Sequence, residues 1–220
     1  MKEFIKAVGG MNHSVIYTDI DGRHFRFSGG TWAWRNHNPG NVRPGKISRK
    51  HGQIGDINNF AVFPDYESGH DALIDVIKFN YWNSSIAEMM EVFAPPVENN
   101  TARYIKFLQK ATGVYDNKKI KNFTSAEFEK LWQGIEKLES WKEGSVVEVY
   151  KITETQIDKN NVICAYFLEN NKWIEKRQCI SLAKGDNLEL EICTSRLGNI
   201  YLRVPANCSF QKDLHLLIKK

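Results

Sequence analysis

The spacing of apolar residues changes near Gly144, and this change most constrains how the chain can fold. Before it, apolar positions recur at helical spacing over residues 67–82, 85–93, 101–111 and 124–138. After it, short alternating or β-branched runs are separated by turns rich in Asn and Gly. The sequence therefore predicts an α+β protein with two domains: an α-rich domain over residues 1–143 and a small all-β sandwich or barrel over residues 146–220.

The second half contributes six predicted strands and all four cysteines. The strands are Val146–Ile152, Val162–Leu168, Trp173–Leu182, Leu188–Cys193, Ile200–Val204 and Leu214–Ile218. The cysteines are spaced too widely for a CxxC zinc signature. Two readings stay open for them, buried free thiols or one to two disulfides formed in an oxidising compartment; the four are Cys164, Cys179, Cys193 and Cys208.

The first half begins with shorter elements. We predict a helix over Glu3–Val8, then a hairpin whose strands, residues 15–18 and 24–27, flank the turn signal Asp21-Gly22. Residues 38–55 are rich in Gly and Pro and predict a loop with brief strands, and a short strand follows over Asn59–Phe63. Further on, Thr124 followed three residues later by Glu127 predicts a capping box at a helix start.

Composition and charge exclude some function classes. No run of about 20 apolar residues exists, so no membrane span is expected. Glu3 and Lys6 interrupt the apolar N-terminus, so we expect no secretory signal peptide. The net charge of +4 and the lack of nucleic-acid motifs give no indication of a nucleic-acid partner. One basic run without acidic residues is suited to phosphate, to carboxylates or simply to solvent; it contains Arg23, Arg26, Arg35, Arg43, Lys46, Arg49 and Lys50.

Three blocks within the first half share a further pattern. They read TWAWRNHNPGNVRPG from residue 31, NNFAVFPDYESGHDAL from residue 58, and FAPPVENNTARYIKFLQKATG from residue 93. In order and spacing they resemble the lysozyme-like peptidoglycan-hydrolase domain of bacteriophage virion proteins and interbacterial effectors, which is similar to lytic transglycosylases and glucosaminidases. His37 stands where that family usually has Asn.

The resemblance implies a lysozyme-like fold for the first domain and bacterial cell-wall glycan as its substrate. It implies no cofactor and no metal. We expect no signal peptide, yet the implied substrate lies outside the cytoplasm. We therefore expect a protein that is made in the cytoplasm and delivered to the periplasm of a target bacterium. An immunity protein or a component of a virion or delivery machine would then be its partner.

Cleavage of a glycosidic bond requires a carboxylic acid that stays protonated near neutral pH. The first candidate is Glu139, because the run LES-W-x-x-G-S resembles the catalytic helix of bacterial glucosaminidases with one residue missing. In those enzymes this helix precedes a segment similar to HNPGNVR, so the resemblance implies a circular permutation. The second candidate is Glu67, at a helix start beside the expected cleft, where the helix dipole lowers a pKa.

Six further residues are candidates for substrate binding, and each has a structural alternative. The Asn side chains can bind acetamido groups or hold turns, and the Trp can stack on sugar or pack in the core. The Glu and Tyr together resemble the ExxxxY motif of transglycosylases, and the Thr can cap a helix. The six are Trp34, Asn38, Asn41, Glu98, Thr101 and Tyr104.

Two other function classes remain open. One is a catalytically inactive, cell-wall-binding virion or toxin-associated protein, which the lack of an acid-bearing helix before residue 38 favours. The other is a zinc peptidase acting on peptide stems, although no HExxH motif is present. Its ligands would come from His24, His37, His51, His70, Asp56 and Asp65.

Overall fold

The structure, a computed structural model, describes residues 3–97, 100–206 and 208–219. In this part of the chain the strands are β1 (Phe4–Gly9), β2 (Val15–Asp19), β3 (His24–Ser28), β4 (Gly55–Ile57), β5 (Phe60–Val62), β6 (Ser145–Val149), β7 (Ile152–Ile157), β8 (Ile163–Leu168), β9 (Lys172–Glu175), β10 (Glu191–Thr194) and β11 (Ile200–Arg203). The helices are α1 (Trp32–Arg35), α2 (Lys46–Lys50), α3 (Tyr66–Asn80), α4 (Ile86–Phe93), α5 (Thr101–Thr112), α6 (Ser125–Glu139) and α7 (Lys176–Lys184).

The chain divides into two compact units. One combines Met1–Gly29 with Gly144–Lys220, and the other is the continuous segment Gly30–Glu143. The first unit is therefore built from both ends of the chain. From the sequence we expected residues 1–29 to belong to the α-rich domain over residues 1–143.

The four-stranded sheet of the first unit explains this division. Its order is β1-β2-β3-β6, and all neighbours are antiparallel. Strands β2 and β3 form the predicted hairpin, in which Gly22 adopts a φ of 80° that L-residues rarely adopt. Strand β6 then pairs with β3, for example Phe25 with Glu148, so the chain returns to the sheet after the intervening unit.

The remainder of the first unit has its own apolar core. Strands β7, β8 and β9 form an antiparallel sheet, and β10 pairs with β11. Helix α7 contributes Cys179, which is fully buried in the same cluster as Tyr166 and Ile174. A buried ion pair, Arg26 Nε to Glu189 Oε1 at 3.3 Å, joins β3 to the segment after α7.

The second unit packs helices α3 to α6 around one apolar core, which includes Leu73, Met89, Leu108 and Leu131. Helix α6 begins at the capping box of Thr124 and Glu127, so this prediction is confirmed. Gly134 lets α5 approach α6 closely, because a Cβ there would lie 2.6 Å from Leu108 Cδ2. A small β4–β5 hairpin completes this unit.

The predicted fold class is wrong. We expected an α-rich, lysozyme-like domain, with or without circular permutation, followed by an all-β sandwich or barrel. Instead the described residues form a mixed, strand-rich structure of eleven strands in four small antiparallel sheets, with no barrel among them. Three strands occur in the first 29 residues, and the second half contains helix α7.

Three element predictions are also corrected. Glu3–Val8 is not a helix: its residues belong mainly to β1, where a register shift between Phe4 and Lys6 places Phe4 and Ala7 on one buried face and so imitates helical spacing. The predicted strand Trp173–Leu182 ends at Glu175, directly before α7, and the Gln178 side chain accepts from the Glu175 backbone amide at 3.1 Å. The predicted strand Leu214–Ile218 is mainly a short 3₁₀ turn.

The four cysteines lie on different elements and are all free thiols. Cys164 belongs to β8, Cys193 to β10, and Cys208 to a loop, whereas Cys179 lies on α7 and not on a strand. Burial raises the pKa of the Cys179 thiol to about 12. This thiol therefore packs as a small apolar group.

Candidate active site

A cavity of about 550 Å³ opens in the unit Gly30–Glu143. Its wall comes from the loop after α1, from α2 and β5, from the ends of α3 and α4, and from the last residue of α6. The lining residues are Gly40, Asn41, Val42, Arg43, Pro44, Gly45, Lys46, Ile47, Ser48, Phe60, Val76, Asn80, Tyr81, Val92, Phe93, Ala94 and Glu139. Among these described residues Glu139 is the one carboxylate.

Glu139 is held in the cavity wall by the packing of its helix and by the turn that follows it. The buried residues Leu131 and Ile135 anchor α6 in the core. Ser140, directly after the helix, adopts a φ of 62°, so the chain turns away after Glu139. The carboxylate is half-buried, and its Oε2 accepts a hydrogen bond of 2.5 Å from Asn41 Nδ2.

Burial raises the pKa of the Glu139 carboxyl above its ordinary value, and the hydrogen bond from Asn41 offsets part of that rise. Desolvation disfavours the charged form, so this carboxyl keeps its proton to a higher pH than an exposed glutamate. Tyr104 is affected by the same group: burial and the negative charge of Glu139 raise the pKa of its phenol. A carboxyl with these properties is suited to donate a proton.

The loop that carries Asn41 is fixed by Asn38. Asn38 is fully buried and donates through Nδ2 to the carbonyls of Val42 and Ala61, at 2.9 and 2.8 Å. Its Oδ1 accepts from the backbone of Val42. Both N–H groups of its amide are therefore used within the turn, and Asn38 does not line the cavity. In the structure it holds the loop that presents Asn41.

Asn41 adopts a φ of 45°, a conformation that Asn tolerates better than most residues. Gly40 precedes it where a Cβ would lie 2.6 Å from Leu73 Cδ1, so the loop packs directly on α3. The Oδ1 atom of Asn41 is buried and has no hydrogen-bond partner among the described residues. The Asn41 amide therefore donates an N–H to Glu139, while its oxygen accepts no hydrogen bond from the described residues.

The other predicted binding residues that the structure describes are buried or make contacts within the fold. Trp34 is buried in α1. The Thr101 hydroxyl donates to the Ala94 carbonyl at 2.5 Å, and Asn100, not Thr101, caps α5. Tyr104 is half-buried and packs against the helical core. Glu98 lies outside the described residues.

The second candidate acid, Glu67, lies in the first turn of α3. It is exposed and is not among the residues that line the cavity. Asp65 caps this helix by accepting from the Ser68 amide at 2.8 Å. Of the two candidates, Glu139 alone combines burial with access to the cavity.

The basic run is distributed over both units. Arg26 belongs to the first unit, where it is buried and pairs with Asp186 at 2.9 Å. In the second unit Arg43 and Lys46 line the cavity, and the guanidinium of Arg43 lies 5.8 Å from the ring centre of Phe60. Lys50 pairs with Asp75 on α3.

The histidines proposed as zinc ligands make separate contacts. His24 contacts Glu169 at 3.0 Å, His51 contacts Asp75 at 2.8 Å and His70 contacts Glu136 at 2.8 Å. His37 Nδ1 lies 3.3 and 3.1 Å from the carbonyls of residues 63 and 64. The described part of the chain contains no group of three His, Cys, Asp or Glu residues that could hold a metal ion.

Sequence reasoning missed Glu136, one turn before Glu139. Its carboxylate accepts from the Tyr66 hydroxyl at 3.0 Å and contacts His70 Nδ1 at 2.8 Å. The one available signal was the spacing of three between two acidic residues on one helix, which puts both on the same side. The partners lie about 70 positions earlier in the chain, and no local pattern connects them.

No protein-family model matches the chain, and no curated protein matches it by sequence. None of the described helices is long and apolar enough to span a bilayer.

Proposed function

We propose that this protein cleaves the glycan strands of bacterial peptidoglycan, as a muramidase or lytic transglycosylase, with Glu139 as the catalytic acid. The observation that carries the proposal is the contact between Glu139 and Asn41 in the wall of the cavity. These residues come from the two segments whose sequences resemble the catalytic helix and the following loop of cell-wall-cleaving enzymes. They are 98 positions apart in the chain.

The chemistry of the site supports the role of Glu139. A general acid needs a raised pKa, a fixed orientation and access to substrate. Burial raises the pKa of Glu139, the Asn41 amide orients the carboxyl, and the cavity gives access. Asn41 also stabilises the carboxylate that remains after the proton has left, because an amide N–H donates well to a charged oxygen.

In the proposed reaction Glu139 acts first as an acid and then as a base. The Glu139 carboxyl donates its proton to the glycosidic oxygen while the bond from that oxygen to the sugar C1 breaks, and the bonding electrons go to the oxygen. The sugar left behind is electron-poor at C1. A nucleophilic hydroxyl then attacks C1, and its proton passes to the Glu139 carboxylate, which restores the acid.

The identity of the nucleophile separates the two branches of the proposal. A hydrolase uses water and normally a second carboxylate, whereas a lytic transglycosylase uses a hydroxyl of the same sugar and one acid/base residue. Glu139 is the one carboxylate among the described residues that line the cavity, which favours the transglycosylase branch. The products distinguish the two, since transglycosylases leave a 1,6-anhydro end and hydrolases a reducing end.

A zymogram on purified cell wall tests the proposal. The wild-type protein is expected to clear peptidoglycan embedded in the gel, and Glu139→Gln is expected to leave it intact. Glu67→Gln is the matched control, because Glu67 is a glutamate of the same unit exposed outside the cavity. If wild-type protein binds the embedded wall without clearing it, the protein is a cell-wall-binding protein and the enzymatic proposal is wrong.

We propose further that the protein acts in the periplasm of a target bacterium after delivery, because its proposed substrate lies there. An immunity protein or a delivery or virion component is the proposed partner. Expression with and without an added export signal tests this. Lysis is expected only when the protein is exported, and the Glu139→Gln variant should be harmless in both compartments.

A further inference from the structure

A group of aromatic residues lies near the end of α6 and is not among the residues that line the cavity. Tyr66, the first residue of α3, and Trp141, two residues beyond α6, meet edge to face with ring centres 5.1 Å apart. Tyr66 also stacks on His70 at 5.8 Å, with ring planes 17° apart. His70 in turn meets the ring of Trp132 edge to face at 4.6 Å.

Glu136 contacts two of these aromatic side chains, Tyr66 and His70. It accepts from the Tyr66 hydroxyl at 3.0 Å and contacts His70 Nδ1 at 2.8 Å, so one polar atom of each of these two side chains is engaged. Burial and the neighbouring Glu136 raise the pKa of Tyr66 to about 12, which keeps its hydroxyl a donor at neutral pH. These contacts orient the Tyr66 and His70 rings, and Trp141 packs on Tyr66.

The two outer rings, those of Tyr66 and Trp141, remain accessible. Tyr66 is 37% exposed and Trp141 is 38% exposed. Aromatic rings that are fixed from one side and open on the other are favourable contact surfaces, because binding them loses little side-chain freedom. The apolar C–H faces of sugar rings stack on such surfaces, while their hydroxyls stay in water.

The position of Tyr66 and Trp141 indicates which ligand would bind to them. Trp141 is two residues from Glu139, so their Cα atoms lie within about 7 Å of each other. A glycan strand cleaved at Glu139 extends beyond the cavity on at least one side. We infer that Tyr66 and Trp141 form a saccharide subsite on which the strand stacks next to the cleaved bond.

This inference rests on the proposed function, because it takes cell-wall glycan as the occupant of the cavity. It adds that the strand contacts the aromatic pair as well as the cavity. Such a protein cleaves within long strands in preference to short fragments. Binding should therefore strengthen with the number of sugars, and the gain should depend on the aromatic pair.

The test measures binding of peptide-free cell-wall glycan fragments of two and of six sugars. The full-length Glu139→Gln protein is used so that the fragments are not consumed. In this background Trp141→Ala is expected to weaken binding of the six-sugar fragment by about tenfold, the size of one lost aromatic stacking contact. Binding of the two-sugar fragment, which the cavity alone can hold, should be unchanged.

Two further variants control for general damage. Tyr66→Ala removes the other half of the pair and should cause a similar loss. Trp82→Ala is the matched control: Trp82 is also 38% exposed and also packs edge to face on one ring, that of Phe128, but it does not touch the pair. It should bind both fragments like the parent protein. Thermal unfolding identifies any variant that fails to fold.

The outcomes separate this inference from the proposed function. If the six-sugar affinity is unchanged in both Trp141→Ala and Tyr66→Ala, or equals the two-sugar affinity in the parent protein, the subsite is wrong even if wild-type protein cleaves cell wall. If both variants lose six-sugar affinity while wild-type protein releases no products, the subsite stands and the proposed catalysis is wrong.

Discussion

Each of the two units contains a glutamate whose pKa is raised by desolvation, Glu139 in one and Glu189 in the other. Glu189 is completely enclosed. It pairs with Arg26 at 3.3 Å and accepts from the backbone amide of Met11 at 2.5 Å. Glu139 has one amide as its partner, Asn41, and otherwise faces a cavity of about 550 Å³.

The difference shows that a raised pKa does not by itself identify a catalytic acid. Glu189 is matched by an opposite charge and is out of reach of any substrate, so its role is to join the two ends of the chain within its unit. Glu139 accepts from the neutral amide of Asn41 and is accessible from the cavity. We therefore assign structure to Glu189 and chemistry to Glu139, and the following variants test that division.

The largest effect is expected for Glu139→Gln on activity. Glutamine keeps the shape of the side chain but cannot donate the proton, so the rate of glycan cleavage should fall by about 10²–10⁴-fold. Release of dye from labelled cell walls measures this rate. Glu189→Gln should retain the wild-type rate in the same assay if it remains folded; an equal loss in both variants would remove the distinction between the two glutamates.

The next effect is on stability and should appear at Glu189. Glu189→Ala leaves the buried Arg26 without one of its two carboxylate partners, and breaking a buried ion pair in this way costs about 3–5 kcal/mol of unfolding free energy. We expect the lower part of that range, because Asp186 still pairs with Arg26. Urea unfolding monitored in the first unit provides the measurement, and a loss below about 0.5 kcal/mol, typical of surface changes, would contradict the structural role.

A smaller effect is expected for Asn41→Ala on the pH profile. The Asn41 amide lowers the pKa of Glu139 by stabilising its carboxylate, so its removal should raise that pKa. Because the acid must be protonated to act, the alkaline limb of the rate profile should move to higher pH. Rates across the pH range check this, and a limb that stays in place or moves to lower pH would show that Asn41 does not act on the acid.

The smallest effect concerns the stability of Glu139→Gln. The pKa of Glu139 is raised by folding, so the folded protein holds the proton more tightly than the unfolded chain. The group's contribution is fully present below its unfolded pKa and is lost as pH rises through the folded pKa. Glu139→Gln should therefore raise the melting temperature at neutral pH by about 1–3 °C. The gain should vanish in acid, and a gain that persists there would indicate a packing effect.

Much of the helical unit could be predicted from the sequence, because its signals are local. Helices α3 to α6 follow the predicted spans closely, and the capping box at Thr124 is confirmed. The hairpin of β2 and β3 is also confirmed, since Asp21-Gly22 defines its turn within a few residues.

The rest depends on contacts between distant residues. The pairing of β3 with β6 joins Arg26 to Val147, and nothing near either residue in the sequence indicates it. The same applies to Glu136, whose partners Tyr66 and His70 lie on another helix. Glu139 could be named as a candidate from the sequence because its segment resembles the catalytic helix of a known family. No local pattern of residues indicated it.

The most direct test of the central claim is mass spectrometry of the soluble fragments released from purified peptidoglycan. Wild-type protein and Glu67→Gln are expected to release the same glycan fragments, all cut at one type of glycosidic bond and carrying either 1,6-anhydro or reducing ends. Glu139→Gln is expected to release none. Undiminished release by Glu139→Gln, or no release by folded wild-type protein, would contradict the assignment of Glu139 as the catalytic acid.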